Sequence, residues 1–160
     1  MQTFLPLTDF ALSARVLDRQ RLGKQRVEAK QIVEVLEAQA RTPGRPVPWG
    51  NHPAARMWRG FVPVLISYGI AMCYEWRERG YADSLLPWFQ ARALAAWPHP
   101  VQVPQAPGWL GQEEFHAAHR AALLAKLPEH YGRFGWTEEP RIAYLWPVGP
   151  AQCKAKEIGL

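Results

Sequence analysis

The stretch LDRQRLGKQRVEA, residues 17–29, opens a helix and concentrates charge on it. From Arg15 to Lys30, six basic residues (Arg15, Arg19, Arg21, Lys24, Arg26 and Lys30) stand against two acids, Asp18 and Glu28, a surplus of four positive charges in sixteen residues. Such a surplus suits a polyanion. Read as one helix from about Arg19 to Ala40, the segment places Leu22, Ala29, Val33, Leu36 and Ala40 at three- and four-residue steps, the spacing of a buried stripe. Glu28 falls at the edge of that stripe, one turn beyond Lys24 and two beyond Arg21. A carboxylate there is partly desolvated and flanked by cations, a setting that stabilises a developing positive charge. The same spacing also fits an ordinary helix laced with surface salt bridges.

On either side, helical segments alternate with Pro- and Gly-rich punctuation, and the chain reads as all-α with little or no sheet. An N-terminal arm, Met1 to Leu7, leads to a first helix capped by Thr8 or Asp9 and running to about Leu17. Beyond a proline-rich loop, Asn51-His52-Pro53 opens a long helix to about Arg79, with Asn51 as cap, Gly80 as stop and a kink expected at Pro63. Its apolar face is Met57, Phe61, Leu65, Tyr68, Met72 and Trp76. A shorter helix is expected over Ser84 to Ala96, an irregular connector over Pro98 to Gly111, and a last helix from Gln112 to Lys126 with Phe115, Ala118, Ala122 and Leu123 inward. An aromatic-rich tail follows: His130, Tyr131, Phe134, Trp136, Tyr144 and Trp146.

With 160 residues, 48% of them hydrophobic, the chain can bury one core, and residues 1–160 read as a single domain. The net charge of +5 favours anionic partners. Cys73 and Cys153 are isolated, which indicates neither a disulfide framework nor a zinc site. The N-terminus does not read as a signal peptide, and the apolar run Phe61 to Cys73 is too short for a membrane span. A soluble, cytoplasmic, monomeric protein is expected. No phosphate-binding GxxxxGK[ST], no GxGxxG and no GxSxG is present, which argues against nucleotide hydrolysis, dinucleotide redox chemistry and the commonest hydrolases.

Other constellations admit two readings each. The aromatic tail, interspersed with Arg133 and Arg141, either stacks on a nucleic acid strand or packs on the helices. His52, at a helix start, either serves a reaction centre or simply begins the helix. His116 and His119 face one way but lack a third ligand at suitable spacing, so no metal site is expected. Arg120 and Lys126 read as solvated charges unless the fold turns them toward the basic segment. Gly23 costs about 1 kcal/mol inside a helix relative to Ala, so either the helix begins near it or something approaches the backbone there.

LDRQRLGKQRVEAKQIV (17–33), Trp49-Gly50-Asn51-His52-Pro53, Glu75-Trp76-Arg77-Glu78-Arg79-Gly80-Tyr81 and Leu124-Ala125-Lys126-Leu127-Pro128-Glu129-His130-Tyr131 occur in an order that resembles the pyrimidine-dimer DNA glycosylase family, the endonuclease V type, in its bacterial branch. The resemblance implies a compact all-α fold with the N-terminal arm across the helices. It also implies catalysis in which an N-terminal threonine α-amine attacks the sugar C1′ to form an imine, assisted by a glutamate of the second helix. Glu28 matches that glutamate. A departing base leaves an oxocarbenium or iminium ion, which a fixed carboxylate stabilises in a sheltered site. Val27 and Gln31 stand where phage-type members carry arginine, and Gln2 replaces the threonine that follows the initiator, with Thr3 one place later.

Because Gln is bulky, Met1 is expected to be retained. Three chemistries then remain open: the Met1 amine, a lysine such as Lys24 or another, or water activated by Glu28 in a glycosylase that does not nick. The resulting expectation is a DNA-repair glycosylase, active with no cofactor or metal, on double-stranded DNA at the nucleoid. Glu28, Met1, Thr3 and His52 are the candidate catalytic residues. Arg15, Arg19, Arg21, Lys24, Arg26, Lys30, Asn51 and Tyr131 are the candidate DNA contacts. The alternatives are a noncatalytic DNA-binding protein of the same fold, or a glycosylase for a different modified base.

Overall fold

Two aspartates start the first two helices of the computed structural model, which describes residues 1–96 and 105–148 and the backbone of 153–157. Asp9 caps α1 (Phe10–Val16), its carboxylate accepting the Leu12 N–H at 2.8 Å. Asp18 caps α2 (Arg19–Arg41) by accepting the N–H groups of Gln20 and Arg21. Each carboxylate satisfies donors that a helix start leaves without partners. The buried stripe of α2 is Leu22, Gln25, Ala29, Ile32, Val33 and Leu36. Ile32 and Gln25 thus join the expected set, while Ala40 is exposed.

The long helix expected from Pro53 to Arg79 is two. α3 (Pro53–Met57) ends in a turn at Trp58 to Phe61, and α4 (Val62–Glu78) begins anew with Pro63 in its first turn. Pro63 therefore opens a helix rather than kinking one, since its missing N–H costs nothing in a first turn. Gly60, at φ +85°, makes the break possible without a Cβ penalty. α5 (Leu86–Ala96), α6 (Glu113–Lys126) and α7 (Pro128–Tyr131) follow, the last running into a short 3-10 turn, Gly132–Phe134. The connector expected over Pro98 to Gly111 lies partly outside the described residues, as does the Cys153 side chain.

The fold is all-α, and among the described residues β structure is confined to one hairpin near the C-terminus. β1 (Ala143–Pro147) pairs antiparallel with β2 (Cys153–Glu157), Leu145 opposite Ala155. Tyr144 and Trp146 point inward, so the aromatic tail packs on the helices. Tyr131 stacks on Trp136 at 5.8 Å between ring centroids in the same manner.

α4 lies against α1, α2 and α5, and the N-terminal arm crosses the core beside them. Thr3, Phe4 and Leu5 are 0–6% exposed, and α6 holds the arm at Leu5 and Pro6. His119 Nδ1 accepts the Leu5 N–H at 3.1 Å. His116 accepts the Gly111 N–H at Nε2, which leaves its Nδ1–H to donate to the Leu5 carbonyl at 2.8 Å. Arg120 donates to the Pro6 carbonyl and pairs with Glu113 and Glu138. The two histidines are thus a clamp on one residue's backbone, and Arg120 is a buried strut, not a solvated charge. Among the described residues no helix is long and apolar enough to cross a membrane.

Candidate active site

The Glu28 carboxylate is where the arm and α2 meet. The Gln2 backbone N–H donates to its Oε2 at 3.0 Å, and the Gln25 side-chain amide approaches the same oxygen at 3.4 Å. Gln25 is oriented from behind: its Oε1 accepts the Phe4 N–H at 2.8 Å and the Tyr68 hydroxyl at 2.6 Å. With the oxygen so engaged, the amide NH2 can only face Glu28. Tyr68 is fully buried, and burial together with the Glu28 charge pushes its hydroxyl well above the ordinary range, so it acts as a fixed donor. Gln25 sits one turn before Glu28 on the same helix face, and a glutamine inside an otherwise apolar stripe is the sequence signal that identifies it.

In front, among the described residues, Glu28 borders two clefts. One, about 810 Å³, follows the outer face of α2 past Arg19, Gln20, Lys24, Val27, Gln31 and Trp76. The other, about 220 Å³, lies between α2 and α6, with Gln2, Gln20, Arg21, Lys24, Lys126 and Tyr144 in its walls. Gln20, Lys24 and Glu28 belong to both and form the ridge between them. The fold thus turns Lys126, from the end of α6, toward the basic segment. Partial burial and the charges of Arg21 and Lys24 hold its ammonium below the ordinary lysine value. Sequence order separates Lys126 from α2 by most of the chain, so only the packing of α6 reveals the pairing.

The remaining candidates divide sharply. Arg15, Arg19 and Lys24 are exposed, Arg19 with its guanidinium 5.0 Å from the Tyr81 ring. Arg21 pairs with Asp18 at 2.7 Å. Arg26 is turned inward, pairing with the Asp83 carboxylate and lying 4.2 Å from the Trp76 ring centre, so it is a strut and not a phosphate contact. Lys30 pairs with Glu34 beside Trp88. Trp76 also explains Gly23, where a Cβ would lie 3.1 Å from the indole, so the close approach comes from within the protein.

Thr3 is fully buried, its hydroxyl accepting the Trp58 indole N–H at 3.0 Å, which makes it part of the arm's anchorage and removes it from the catalytic set. Tyr131 is likewise buried and donates to Asp18 at 2.5 Å, so it braces the α2 cap instead of touching DNA. Burial raises the Asp18 carboxyl, but its hydrogen bonds with Tyr131 and Arg21 outweigh burial and leave it below its ordinary value. His52, not Asn51, caps α3, its Nδ1 accepting the Ala54 N–H at 3.1 Å. Burial and the nearby positive Met1 terminus lower its pKa. His52 is therefore a neighbour of the N-terminal amine, packed edge-on against Trp146. Met1 packs its side chain against the core. Asn51 is exposed in a separate cleft with Gln39, Arg59 and Val62.

Among the described residues, no three His, Cys, Asp or Glu side chains are grouped to hold a metal. Comparison with curated proteins gave no match, and neither did comparison with solved structures. The model of one family, described as pyrimidine dimer DNA glycosylase, matches residues 1–86, a span that takes in the arm, α2 with Glu28, and α3 with His52. That span exceeds half of the chain, and the protein belongs to the pyrimidine dimer DNA glycosylase family.

Proposed function

We propose that this protein is a DNA glycosylase that cleaves the N-glycosidic bond of a damaged or modified base, a base within a pyrimidine dimer first among them, in duplex DNA. Phosphates would engage Arg15, Arg19, Arg21 and Lys24, while the extruded sugar enters beside Glu28. The observation that carries the reading is the Glu28 carboxylate held between the Gln2 N–H and Gln25, with its front on a cationic cleft. Loss of a base leaves positive charge on C1′ and O4′, and a carboxylate already fixed in place stabilises it without reorganising. The flanking cations attract the strand and make affinity fall steeply with salt.

One observation favours the noncatalytic reading. With Met1 in place, the nitrogen beside Glu28 is a peptide N–H, which is not a nucleophile. The test uses duplexes that each carry one defined lesion, with Glu28→Gln as the paired variant. Glycosidic-bond cleavage in a dimer duplex, read as a new abasic sugar, that the variant loses supports the glycosylase. Release from another lesion alone moves the substrate assignment, and intact substrates with salt-sensitive binding support the binding protein.

A further inference from the structure

We infer that Trp49 is a stacking residue of this protein's DNA face, its indole covering the bare ring of a base whose stacking neighbour is missing or extruded. The inference rests on the proposed binding of damaged duplex DNA and adds to it the residue that senses interrupted stacking.

Folding alone does not account for a tryptophan at this position. The Gly50 N–H donates to the Val47 carbonyl at 3.0 Å, which closes a turn with Pro48 and Trp49 at its centre. Proline holds the first central φ at about −65°, and Trp49 follows at φ +64°. That is the pattern of a type II turn, whose second central residue is ordinarily Gly or Asn because a Cβ is strained at positive φ. Among the described residues, Trp49 is the one non-glycine residue with positive φ. Burial does not offset the strain, since Trp49 is 64% exposed where Trp58, Trp109 and Trp146 are 0–7% exposed. A strained, exposed aromatic that serves neither the backbone nor the core points to a partner outside the chain.

The turn is held from beneath. Gly50 is buried, and a Cβ there would collide with the Gln39 side-chain amide. Arg59 donates to the Gly50 carbonyl at 3.1 Å, and the His52 N–H donates to the Trp49 carbonyl at 2.9 Å. A side chain presented on so fixed a backbone loses little further freedom when it meets a ligand.

The surroundings name that ligand. A row of rings leads from Trp49 to His52 at 5.8 Å between centroids, on to Trp146 at 6.1 Å and then to Tyr144 at 5.8 Å, and Tyr144 lines the smaller cleft beside Glu28. The N-terminus joins the same two places, with the Gln2 N–H on Glu28 and the Met1 terminus close enough to His52 to lower its pKa. Arg45 and Arg56, both exposed, flank Trp49 in sequence and bring positive charge for phosphates. An indole stacks on the π-face of any base, and a gap in the duplex bares the faces of the bases next to it. An exposed indole among cations, one ring row from the Glu28 cleft, therefore suits an unstacked base better than an intact duplex.

The experiment measures the affinity of the full chain for two duplexes of one sequence, one intact and one with a single abasic site, across a salt series. It compares the wild type with Trp49→Gly and Trp49→Phe. Glycine suits the turn, so Trp49→Gly should keep its melting temperature within a few degrees of the wild type. The wild type should prefer the abasic duplex by about tenfold, the worth of one base–aromatic stack. Trp49→Gly should lose that preference while its affinity for the intact duplex stays within about twofold and its salt slope is unchanged, because a neutral ring releases no counterions. Trp49→Phe should keep most of the preference, which a residue that only shapes the loop would not require. Equal affinity of the wild type for the two duplexes, a preference that Trp49→Gly retains, or equal losses on both duplexes overturns the inference, and cleavage of a dimer duplex alongside any of these leaves the glycosylase standing. The expected preference with every lesion duplex left intact keeps the stacking role and removes the glycosylase. A wild-type chain that binds neither duplex at low salt removes both.

Discussion

The two sides of Glu28 are built from opposite materials. Behind it, the arm, Gln25, Tyr68 and the α6 histidines form a dry seam in which the Phe4 and Leu5 N–H groups, the Leu5 carbonyl and the Tyr68 hydroxyl have fixed partners, while the buried Gln2 side-chain amide has none. Before it, Arg19, Lys24 and Lys126 border open clefts. The contrast teaches that charge on α2 is not one population. Residues at similar spacing either support the fold or remain for a ligand, and burial decides which. A substitution in the seam should register first in stability, and one on the open face first in salt-dependent binding.

The largest effect should come from a cation that belongs to the seam despite its place in the basic run. Arg26→Gln leaves the Asp83 carboxylate, whose side chain is fully buried, without its partner and should cost about 3–5 kcal/mol in chemical denaturation. The salt slope of DNA binding should barely move. A slope that falls instead would place Arg26 on the open face.

Gln25→Leu comes next. It removes the acceptor of the Phe4 N–H and the Tyr68 hydroxyl and frees Glu28 on one side, for about 2–4 kcal/mol of stability and a fall in glycosidic-bond cleavage beyond what unfolding explains. Unchanged stability would show that the arm is held without it.

The clamp on Leu5 sharpens the same contrast through pH. Burial pushes His119 down to about 3, so between that value and the ordinary 6.5 the unfolded chain binds a proton that the folded chain refuses. Stability therefore falls as pH drops through this window, by roughly 2 kcal/mol at about pH 5 from this group alone. His119→Gln should flatten that limb of a pH series of urea melts. An unaltered limb would mean that the clamp does not titrate.

The smallest effect belongs to the open face. Lys24→Gln should leave the melting temperature within a degree or two, lower duplex affinity modestly and reduce the slope of log affinity against log salt by about 0.9. No change in slope would take Lys24 off the DNA path.

Much of the α-helical frame was legible in sequence because it is local. Asp9 before α1 and the period of α2 are short-range signals, and Glu28 at the edge of that stripe follows from the same period. The turn that divides α3 from α4 escaped because the apolar spacing continues through it. There the competing demand is Trp58, drawn inward by Thr3. β1 escaped because five residues with alternating burial are too few to distinguish from an irregular aromatic tail. His116 and His119 could be seen to share a face, but what they grip lies more than 100 residues earlier in the chain. Lys126 is a helix-end charge until α6 is docked. The arm's threonine showed the limit of positional reasoning: one residue's displacement moves Thr3 from the site into the core.

The central claim is that a carboxylate held in place by the arm stabilises the sugar as its base departs. Its most direct test is single-turnover glycosidic-bond cleavage in a dimer duplex, read as the abasic sugar formed, by the wild-type protein and Glu28→Gln, with duplex affinity measured in parallel across salt. A fall in the rate of about a thousandfold with affinity kept within a few-fold is the expected result. Equal rates, or a loss of rate that merely follows a loss of binding, would contradict it.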